Sequence, residues 1–564
     1  MSIIDDFLPS IPLSPVTLPY MEIRFRISKT ALLAIAALFL STGYKTYDNL
    51  FEYSKNLEIF ATAYKNVGTH FVDDVNPGTL MRKGLDAMLA GLDPYTNFYS
   101  ESQTEETMIE RQGEYGGVGC RIFIRNRYPV VSEIFRGYAF ANADIRCGDI
   151  IKFVSGQDMA GKSTTDVGAF LRGAPNTAVT LIIDRNGQPL EKKITRVSVR
   201  TKNVPWSGMI NDQTGYIKLD EFGQNCAQEI ESALLNLQKN PGMNKLVLDL
   251  RGNGGGLLGE AVDIVGLFVG ENKLVVNMKG RSGESNRKWM TRKPAVAADL
   301  PLVVLVDAQS ASASEVVSGS LQDMDRAVII GQNSFGKGLV QNFFPLPYRT
   351  QMKITTAKYY TPSGRCIQLL DYSKRNPDGS AGTIPDSLRK AFKTAAGRTV
   401  YDGGGIRPDV VVDPFSGEPL IKYLLEERFV FDFANDFRNN NATLPNDARF
   451  ITPAQFETFG KQFAAKLKGQ LRKKMEDALQ NSVKDEELVK MIMNGVSDAK
   501  LEKAVLDHIN HCGETLMYRM ESEIIARYPD AEREYKHMFM GDPDLAAALK
   551  TLNNPDAYNR ILRK

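Results

Sequence analysis

Two polar residues that could perform nucleophilic chemistry stand 25 residues apart, each among small residues. Ser312 lies in QSASASEVVSGSL, directly after the apolar segment 301–308, and Lys337 lies between two glycines in GQNSFGKGLVQ. The apolar segment predicts a buried strand, and the small residues permit a tight turn into a helix that begins just after Ser312, near the positive end of its dipole. A lysine acts as a general base only when neutral, and burial favours that form by lowering its pKa. The two residues are therefore candidates for serine chemistry activated by an amine.

Histidine is scarce where this chemistry would take place. The four histidines are His70, His508, His511 and His537, so none lies between residues 71 and 507. This distribution disfavours a Ser-His-Asp triad or a histidine-ligated metal in the middle of the chain, unless a terminal segment folds back to supply one.

Neighbouring groups could complete such a site. The N–H of Ala313 could face a developing oxyanion. If GLVQ continues as a strand, Gln341 lies on the same face as Lys337 and could orient the amine. The glycines of LVLDLRGNGGGLL (246–258) precede a predicted helix and could stabilise an anion, either a phosphate or an oxyanion. The alternatives are a serine that only caps a helix, a solvated lysine and a glycine turn without a ligand.

Composition disfavours several other classes of protein. With 43% hydrophobic and 24% charged residues, the chain is neither disordered nor collagen-like. Lys plus Arg is 69 and Asp plus Glu is 67, a net charge of +2, which leaves no electrostatic footprint for nucleic acid. The five cysteines form no CxxC pair. Gly331, Gly336 and Lys337 imitate a P-loop, but Gly338 stands where that motif needs Ser or Thr. We expect no metal and no cofactor.

The N-terminal region is typical of an export signal. Arg24, Arg26 and Lys29 precede the apolar run ALLAIAALFL at 31–40. The run is shorter than the roughly 20 residues that span a bilayer, and no clear cleavage site follows. A cleaved signal, an uncleaved membrane anchor and a buried helix are the alternatives, and Met21 is an alternative start. The expectation is a periplasmic protein, either free or anchored to the inner membrane.

The pattern of apolar and turn residues predicts an α/β multidomain protein. An N-terminal segment with the signal or anchor is followed by a helical part, a mostly-β domain, an α/β core in which strands alternate with helices, and a charge-rich helical extension. The predicted boundaries of these five parts are 1–46, 47–112, 113–199, 200–418 and 419–564.

Several motifs occur together in the order found in one enzyme family. They are DPYTNFY, GGVG, DLRGNGGG, SASASE, GKGLVQ, YYTPSGR and GGGIRPD. Over residues 50–412 the chain resembles the carboxy-terminal processing peptidases, also called tail-specific proteases. The resemblance implies an α/β protease core at 200–418 with an inserted PDZ domain at 113–199.

The resemblance also implies roles for individual residues. Ser312 is the expected nucleophile, Lys337 the general base and Gln341 its supporting residue. The expected oxyanion donors are the N–H groups of Ala313 and Gly255, with Gly256 as an alternative because the glycine run blurs the alignment. Arg172 matches an arginine that couples the PDZ domain to the active site. The runner-up function is a non-catalytic PDZ scaffold of the cell envelope, which the presence of Ser312, Lys337 and Gln341 disfavours.

The expected partners are proteins recognised by their C-terminal tails. The predicted carboxylate-binding loop is Gly116, Gly117, Val118 and Gly119, because its backbone N–H groups suit an anion. The strand CRIFI after it could pair with a peptide and favour apolar tail residues. The extension at 419–564 matches no motif, so docking of an adaptor or another subunit and a packing collar are alternatives.

Overall fold

The computed structural model describes residues 29–564 except 105–106, 108–113, 201, 377–378, 414–418, 483–485 and 564. Much of the predicted export signal, including Arg24 and Arg26, therefore lies outside the described residues. The chain divides into two compact units, Met1–Met88 and Leu89–Lys564.

The first unit is helical. It contains α1 (Lys29–His70) and most of α2 (Pro77–Ala90). The Tyr64 hydroxyl donates a hydrogen bond to the carbonyl oxygen of Pro77 at 2.8 Å, which ties the end of α1 to the start of α2. Within the described ranges, no helix is both long and apolar enough to cross a bilayer.

The second unit begins with the short strand β1 (Asn97–Tyr99) and then a β-rich domain at residues 114–200. Its largest sheet has the order β3-β4-β5-β7-β8, and its first and last strands, β2 and β9, pair with each other. The domain therefore closes on itself around its own apolar core. Its elements are β2 (Glu114–Gly117), β3 (Cys120–Arg125), β4 (Tyr128–Ile134), α3 (Ala139–Asn142), β5 (Ile150–Val154), β6 (Gln157–Asp158), α4 (Thr164–Leu171), β7 (Ala178–Arg185), β8 (Gln188–Thr195) and β9 (Val197–Arg200).

Strands and helices alternate in the next part of the chain, as the sequence predicts. The elements up to the nucleophile segment are β10 (Trp206–Met209), β11 (Thr214–Lys218), α5 (Cys226–Leu237), β12 (Lys245–Asp249), α6 (Leu258–Val269), β13 (Leu274–Gly280), β14 (Arg287–Met290) and β15 (Leu302–Val306). Those that follow are α7 (Ala313–Asp323), β16 (Val328–Gly331), β17 (Leu339–Pro345), β18 (Gln351–Tyr360), β19 (Leu370–Arg375), β20 (Ala381–Thr383), β21 (Ala391–Lys393), β22 (Thr399–Tyr401) and β23 (Val410–Val411).

Two sheets carry the site. The main sheet has the order β10-β11-β12-β15-β16-β23 and is parallel except for β10. The second sheet has the order β1-β18-β13-β14, with β17 also paired to β18. The main sheet therefore positions the Ser312 turn, and the second sheet positions the chain just after Lys337.

The C-terminal region is helical, as predicted, and a short break separates the helices Glu486–Gly495 and Asp498–His511. The capping residue Ser497, whose side chain accepts the N–H of Lys500, begins the second of them after Gly495 has ended the first. The helices are α8 (Pro419–Glu426), α9 (Phe429–Asn440), α10 (Pro453–Ser482), α11 (Glu486–Gly495), α12 (Asp498–His511), α13 (Gly513–Ile525), α14 (Ala531–Met540), α15 (Pro543–Leu552) and α16 (Pro555–Leu562).

The main sheet is covered by helices on both faces. Leu248 and Val304 pack beneath α5, α6 and α7, whereas Val247 and Val303 pack beneath α15 and α16. Successive strand residues point to opposite faces, which explains the nearly continuous apolar runs of β12 and β15. The last two helices of the predicted extension at 419–564 therefore pack against the core sheet, because this second apolar face also needs cover.

The β-rich domain contacts the helices of the C-terminal region. The rings of Phe123 and Phe431 meet edge to face with centroids 5.7 Å apart. Beside them Arg125 forms an ion pair with Asp432 at 2.7 Å. These contacts fix the outer side of β3 to α9.

Candidate active site

Ser312 stands at the tip of the turn between β15 and α7. Its backbone has φ 55° and ψ −109°, a conformation rare outside glycine that costs of order 1–3 kcal/mol. The turn is held by Asp307, whose carboxylate accepts the N–H groups of Gln309 and Ser310 at 3.0 Å. As predicted, the helix begins at Ala313. The turn leaves Ser312 half-buried at the helix N-terminus.

The buried carboxylate of Glu315 joins the Ser312 segment to the Lys337 segment. One of its oxygens accepts the N–H of Ser312 at 2.8 Å and that of Lys337 at 2.9 Å. The other accepts the N–H of Gly336 at 2.7 Å and the hydroxyl of Ser334 at 2.5 Å. Burial raises the pKa of Glu315, and these hydrogen bonds oppose that rise. Sequence reasoning missed Glu315, although the S-x-x-E spacing of a capping box signals it.

Tyr359 on β18 forms a second link between the same two segments. Its hydroxyl lies 2.5 Å from the carbonyl oxygen of Lys337 and 3.1 Å from that of Ser312, so one donor serves both. Burial raises the pKa of Tyr359 well above its ordinary value, which keeps the hydroxyl protonated. Tyr359 is the first residue of the YYTPSGR motif, but sequence reasoning assigned it no role.

The Lys337 amine lies in a partly apolar setting. Its Nζ is 4.5 Å from the centre of the Tyr95 ring. Among the residues that the structure describes, no carboxylate lies within ion-pair distance of it. Burial lowers the pKa of Lys337, and the charge of Lys353 lowers it further, against the opposite effect of Glu315 and Asp93. The surroundings of Lys337 therefore lower its pKa, the direction that a general base requires.

The glycines beside Lys337 allow this close approach. A Cβ on Gly336, which has φ 85°, would lie 2.5 Å from the Cβ of Leu369, and one on Gly338 would lie 2.9 Å from the N of Gln368. Substituting either glycine would displace the Lys337 segment.

Gln341 lies on β17 and is bonded to the neighbouring strand. Its amide donates to the hydroxyl of Thr355 at 3.2 Å. The strand begins only at Leu339, so Lys337 lies outside it. The expectation that Lys337 and Gln341 lie on one face of a continuous strand is therefore not supported. In the described part of the chain, no hydrogen bond joins Gln341 to Lys337. Gln341 thus reaches the amine only indirectly.

The predicted oxyanion donors lie around Ser312. The N–H of Ala313 is the first of α7 and lacks an acceptor within the helix. A Cβ on Gly255 would lie 2.8 Å from the Cβ of Ser312 and 3.0 Å from the N of Ala313, so only glycine fits there. The N–H of Gly255, however, donates to Asn253 at 2.9 Å. The N–H of exposed Gly256 has no acceptor in the described residues, so it is free to bind an oxyanion, although Gly255 is the glycine that lies against Ser312.

The predicted carboxylate loop differs from expectation at its first half. Gly116 and Gly117 belong to β2 and pair with β9, which uses their backbone to close the domain. Val118 and Gly119 lie after the strand, and their carbonyl oxygens accept the N–H groups of Phe140 and Phe135 at 2.9 and 3.0 Å. Their own N–H groups have no acceptor among the described residues. In the part of the loop outside β2, the free donors are therefore the N–H groups of Val118 and Gly119.

The strand after this loop has an open edge. In the described residues β3 pairs only with β4. Cys120 and Ile122 pack partly into the domain core, and Ile124 is 39% exposed. An extended peptide could therefore add to the free edge of β3.

Arg172 directly follows α4 and ends that helix.

Glu315→Gln is expected to lower the free energy of unfolding by about 1–3 kcal/mol, since the amide has one acceptor oxygen and would turn its NH₂ toward N–H donors. Chemical denaturation measures the change. Glu221→Gln, at an exposed residue, is the matched control. An unfolding free energy equal to that of the parent would contradict the bridging role.

Two segments of the chain match described families. Residues 213–374 match "Peptidase family S41". Residues 420–552, where the sequence analysis found no motif, match "Probable PDZ-protease, C-terminal helical domain".

Individual relatives extend this match. A carboxy-terminal-processing protease of Bartonella bacilliformis is 32% identical over 319 residues, which cover 56% of this chain and 73% of the relative. A "Probable CtpA-like serine protease" of Staphylococcus aureus is 32% identical over 55% of this chain and 62% of the relative. Among solved structures, a photosystem II D1 C-terminal processing protease is 25% identical, covers 63% of this chain and 92% of its own, and has a TM-score of 0.35. The chain belongs to the carboxy-terminal-processing proteases of peptidase family S41 and is a serine-type peptidase.

Proposed function

We propose that this peptidase cleaves proteins near their C-termini with Ser312 as nucleophile and Lys337 as general base. The observation that supports the pair most directly is its shared anchorage: both backbones are bound by Glu315 and by Tyr359. The lowered pKa of Lys337 supports the role of base. The lack of histidine between residues 71 and 507 agrees with an amine in that role.

The proposed reaction proceeds by acylation and hydrolysis. The neutral amine of Lys337 takes the hydroxyl proton of Ser312 while the Ser312 oxygen bonds to the scissile carbonyl carbon. The π electron pair of the carbonyl group moves onto the carbonyl oxygen. Collapse of this intermediate breaks the C–N bond, and the Lys337 ammonium protonates the leaving amine. Lys337 then takes a proton from water as the water oxygen bonds to the acyl carbon. Collapse breaks the ester C–O bond, the Lys337 ammonium returns its proton to the Ser312 oxygen, and the acid product leaves.

The N–H of Ala313 and a glycine N–H of the DLRG turn are the proposed oxyanion donors. The close approach of Gly255 to the Cβ of Ser312 supports this assignment, and Gly256 offers a free N–H. Gln341 is proposed to support Lys337 through β17, because its amide is bonded to Thr355.

Ser312→Ala and Lys337→Ala are each expected to lower kcat about 10⁴-fold or more, because each removes one partner of a group that acts as a unit. The assay is intact-mass measurement of cleavage on test proteins with added C-terminal tails. Lys358→Ala, on the exposed side of β18, is the control for loss of a lysine. Turnover of Lys337→Ala close to that of the parent would exclude the amine as base, and inactive parent protein would favour a non-catalytic scaffold.

The pH profile offers an independent test of the base. The neutral fraction of Lys337 increases with pH, so kcat/KM should rise with pH and reach its half-maximum below the ordinary lysine pKa of about 10.4. Lys353→Gln removes a charge that lowers the Lys337 pKa, so its half-maximum should move to higher pH. Lys358→Gln should leave the profile in place. A Lys353→Gln profile that is unchanged or moves to lower pH would be the contrary result.

We also propose that the β-rich domain at 114–200 is a PDZ domain that binds the C-terminal tail of the substrate. The free N–H groups of Val118 and Gly119 suit the terminal carboxylate, and the open edge of β3 suits the extended tail. Cys120, Ile122 and Ile124 would contact alternate tail residues, which favours apolar tails.

A substrate with a free C-terminus is expected to have a KM at least about tenfold lower than its amidated form, because the amide lacks the charge that strengthens these hydrogen bonds. Competition with free and amidated tail peptides measures the same difference in binding. Equal cleavage and equal competition by both forms would exclude recognition of the carboxylate and leave the serine chemistry intact.

Export to the periplasm, with or without a membrane anchor, is proposed from Arg24, Arg26 and the apolar run at 31–40. Sequencing of the native N-terminus and fractionation test this proposal. A cytoplasmic protein that begins at Met1 or Met21 would overturn it.

A further inference from the structure

The arginine of the DLRG turn is bound by three carboxylates. Arg251 donates to Asp249 through Nη2 at 2.6 Å, to Asp542 through both terminal nitrogens at 2.9 and 2.6 Å, and to Asp544 at 3.0 Å. Burial disfavours the Arg251 charge, but the carboxylates outweigh this effect and raise its pKa. Asp249 ends β12 next to the turn, whereas the other two acids come 291 and 293 residues later than Arg251. A distant part of the chain therefore holds this turn.

The two distant acids belong to the start of α15. Asp542 also accepts the N–H of Leu545 at 3.0 Å and so caps that helix. Asp542 and Asp544 are only 9% and 5% exposed. The helix itself packs on the main sheet, beside Val303. Both acids are thus buried at the start of a packed helix and are not mobile side chains at the surface.

The turn that Arg251 belongs to is bonded to the nucleophile segment. The N–H of Gly252 donates to both oxygens of Asp307 at 3.0 and 3.1 Å. The carbonyl oxygen of Asn253 accepts the N–H of Ala311 at 3.0 Å. A displacement of Arg251 would therefore also displace the glycines beside Ser312.

We propose that Asp542 and Asp544 are positioning residues for the oxyanion site and act through Arg251. This inference rests on the proposed Ser312 chemistry. Neither acid contacts Ser312 or Lys337 in the described residues, so their effect is on the placement of the glycine N–H. A donor displaced by about 1 Å can cost on the order of 10²-fold in rate, so loss of this support should lower kcat.

The decisive variants are Asp542→Asn and the double variant Asp542→Asn/Asp544→Asn. Asparagine caps a helix about as well as aspartate, so the first change removes the charge and keeps the cap. The matched control is Asp530→Asn, at the exposed residue that caps α14 by accepting the N–H of Arg533 at 2.9 Å. Each purified full-length chain is assayed on one tailed substrate and titrated with a peptide boronic acid, whose tetrahedral serine adduct carries the oxyanion.

The double variant is expected to lose about tenfold or more in kcat and in affinity for the boronic acid, with KM within about twofold of the parent. In a Ser312→Ala background the same acid changes should leave substrate affinity unchanged, whereas a general structural loss would lower it. Asp530→Asn should match the parent in every readout. If the double variant does not fold, Asp544→Asn alone, which keeps Asp542 and the cap, should give a smaller loss of the same kind.

Two outcomes separate the inference from the proposed function. Parent-like kcat in the acid variants, while Ser312→Ala is inactive, would overturn the positioning role alone. Activity retained by Ser312→Ala would overturn the proposed chemistry itself.

Discussion

The buried carboxylate of Glu315 is the constraint on which the site depends. A carboxylate cannot remain in a protein interior unless hydrogen bonds replace its lost hydration. Here the replacement comes from Ser312 on one side and from Ser334, Gly336 and Lys337 on the other. The segments after β15 and β16 must therefore converge whenever the protein is folded. The placement of the Ser312 turn beside the Lys337 segment follows from the hydrogen bonds that this one buried carboxylate requires.

Other parts of the fold serve the same convergence. The second sheet supplies Tyr359 from β18, which binds the carbonyl groups of the same two residues. The main sheet supplies the ends of β12 and β15, from which the glycine turn and the Ser312 turn emerge side by side. The strained backbone of Ser312 is tolerated because these contacts, and not local preference, determine it.

Local patterns predicted the elements well. The helix predicted after the glycine run is α6, and the helix predicted just after Ser312 is α7, because small-residue turns and apolar periodicity are encoded locally. The choice between Gly255 and Gly256 could not be made from three consecutive glycines, since it depends on which N–H the side chain of Asn253 occupies.

Long-range pairings were beyond those patterns. The apolar runs of β12 and β15 indicated burial, yet nothing in them identified α15 and α16, more than 200 residues later, as the cover of one face. The S-x-x-E spacing can predict only that Glu315 caps its own helix. Its hydrogen bonds to Gly336 and Lys337 join two separate segments and have no local pattern. The register of β17 at Gln341 likewise follows from its partner β18.

The β-rich domain and α9 are joined by an exposed ion pair and by an aromatic contact, which respond differently to salt. Arg125 and Asp432 are 34% and 38% exposed, so their ion pair is screened by salt and worth about 0–1 kcal/mol. The aromatic pair of Phe123 and Phe431 adds about 0.5–1.5 kcal/mol beyond its buried area. Raising the ionic strength should therefore weaken the ion pair of Arg125 and Asp432 and leave the aromatic contact in place.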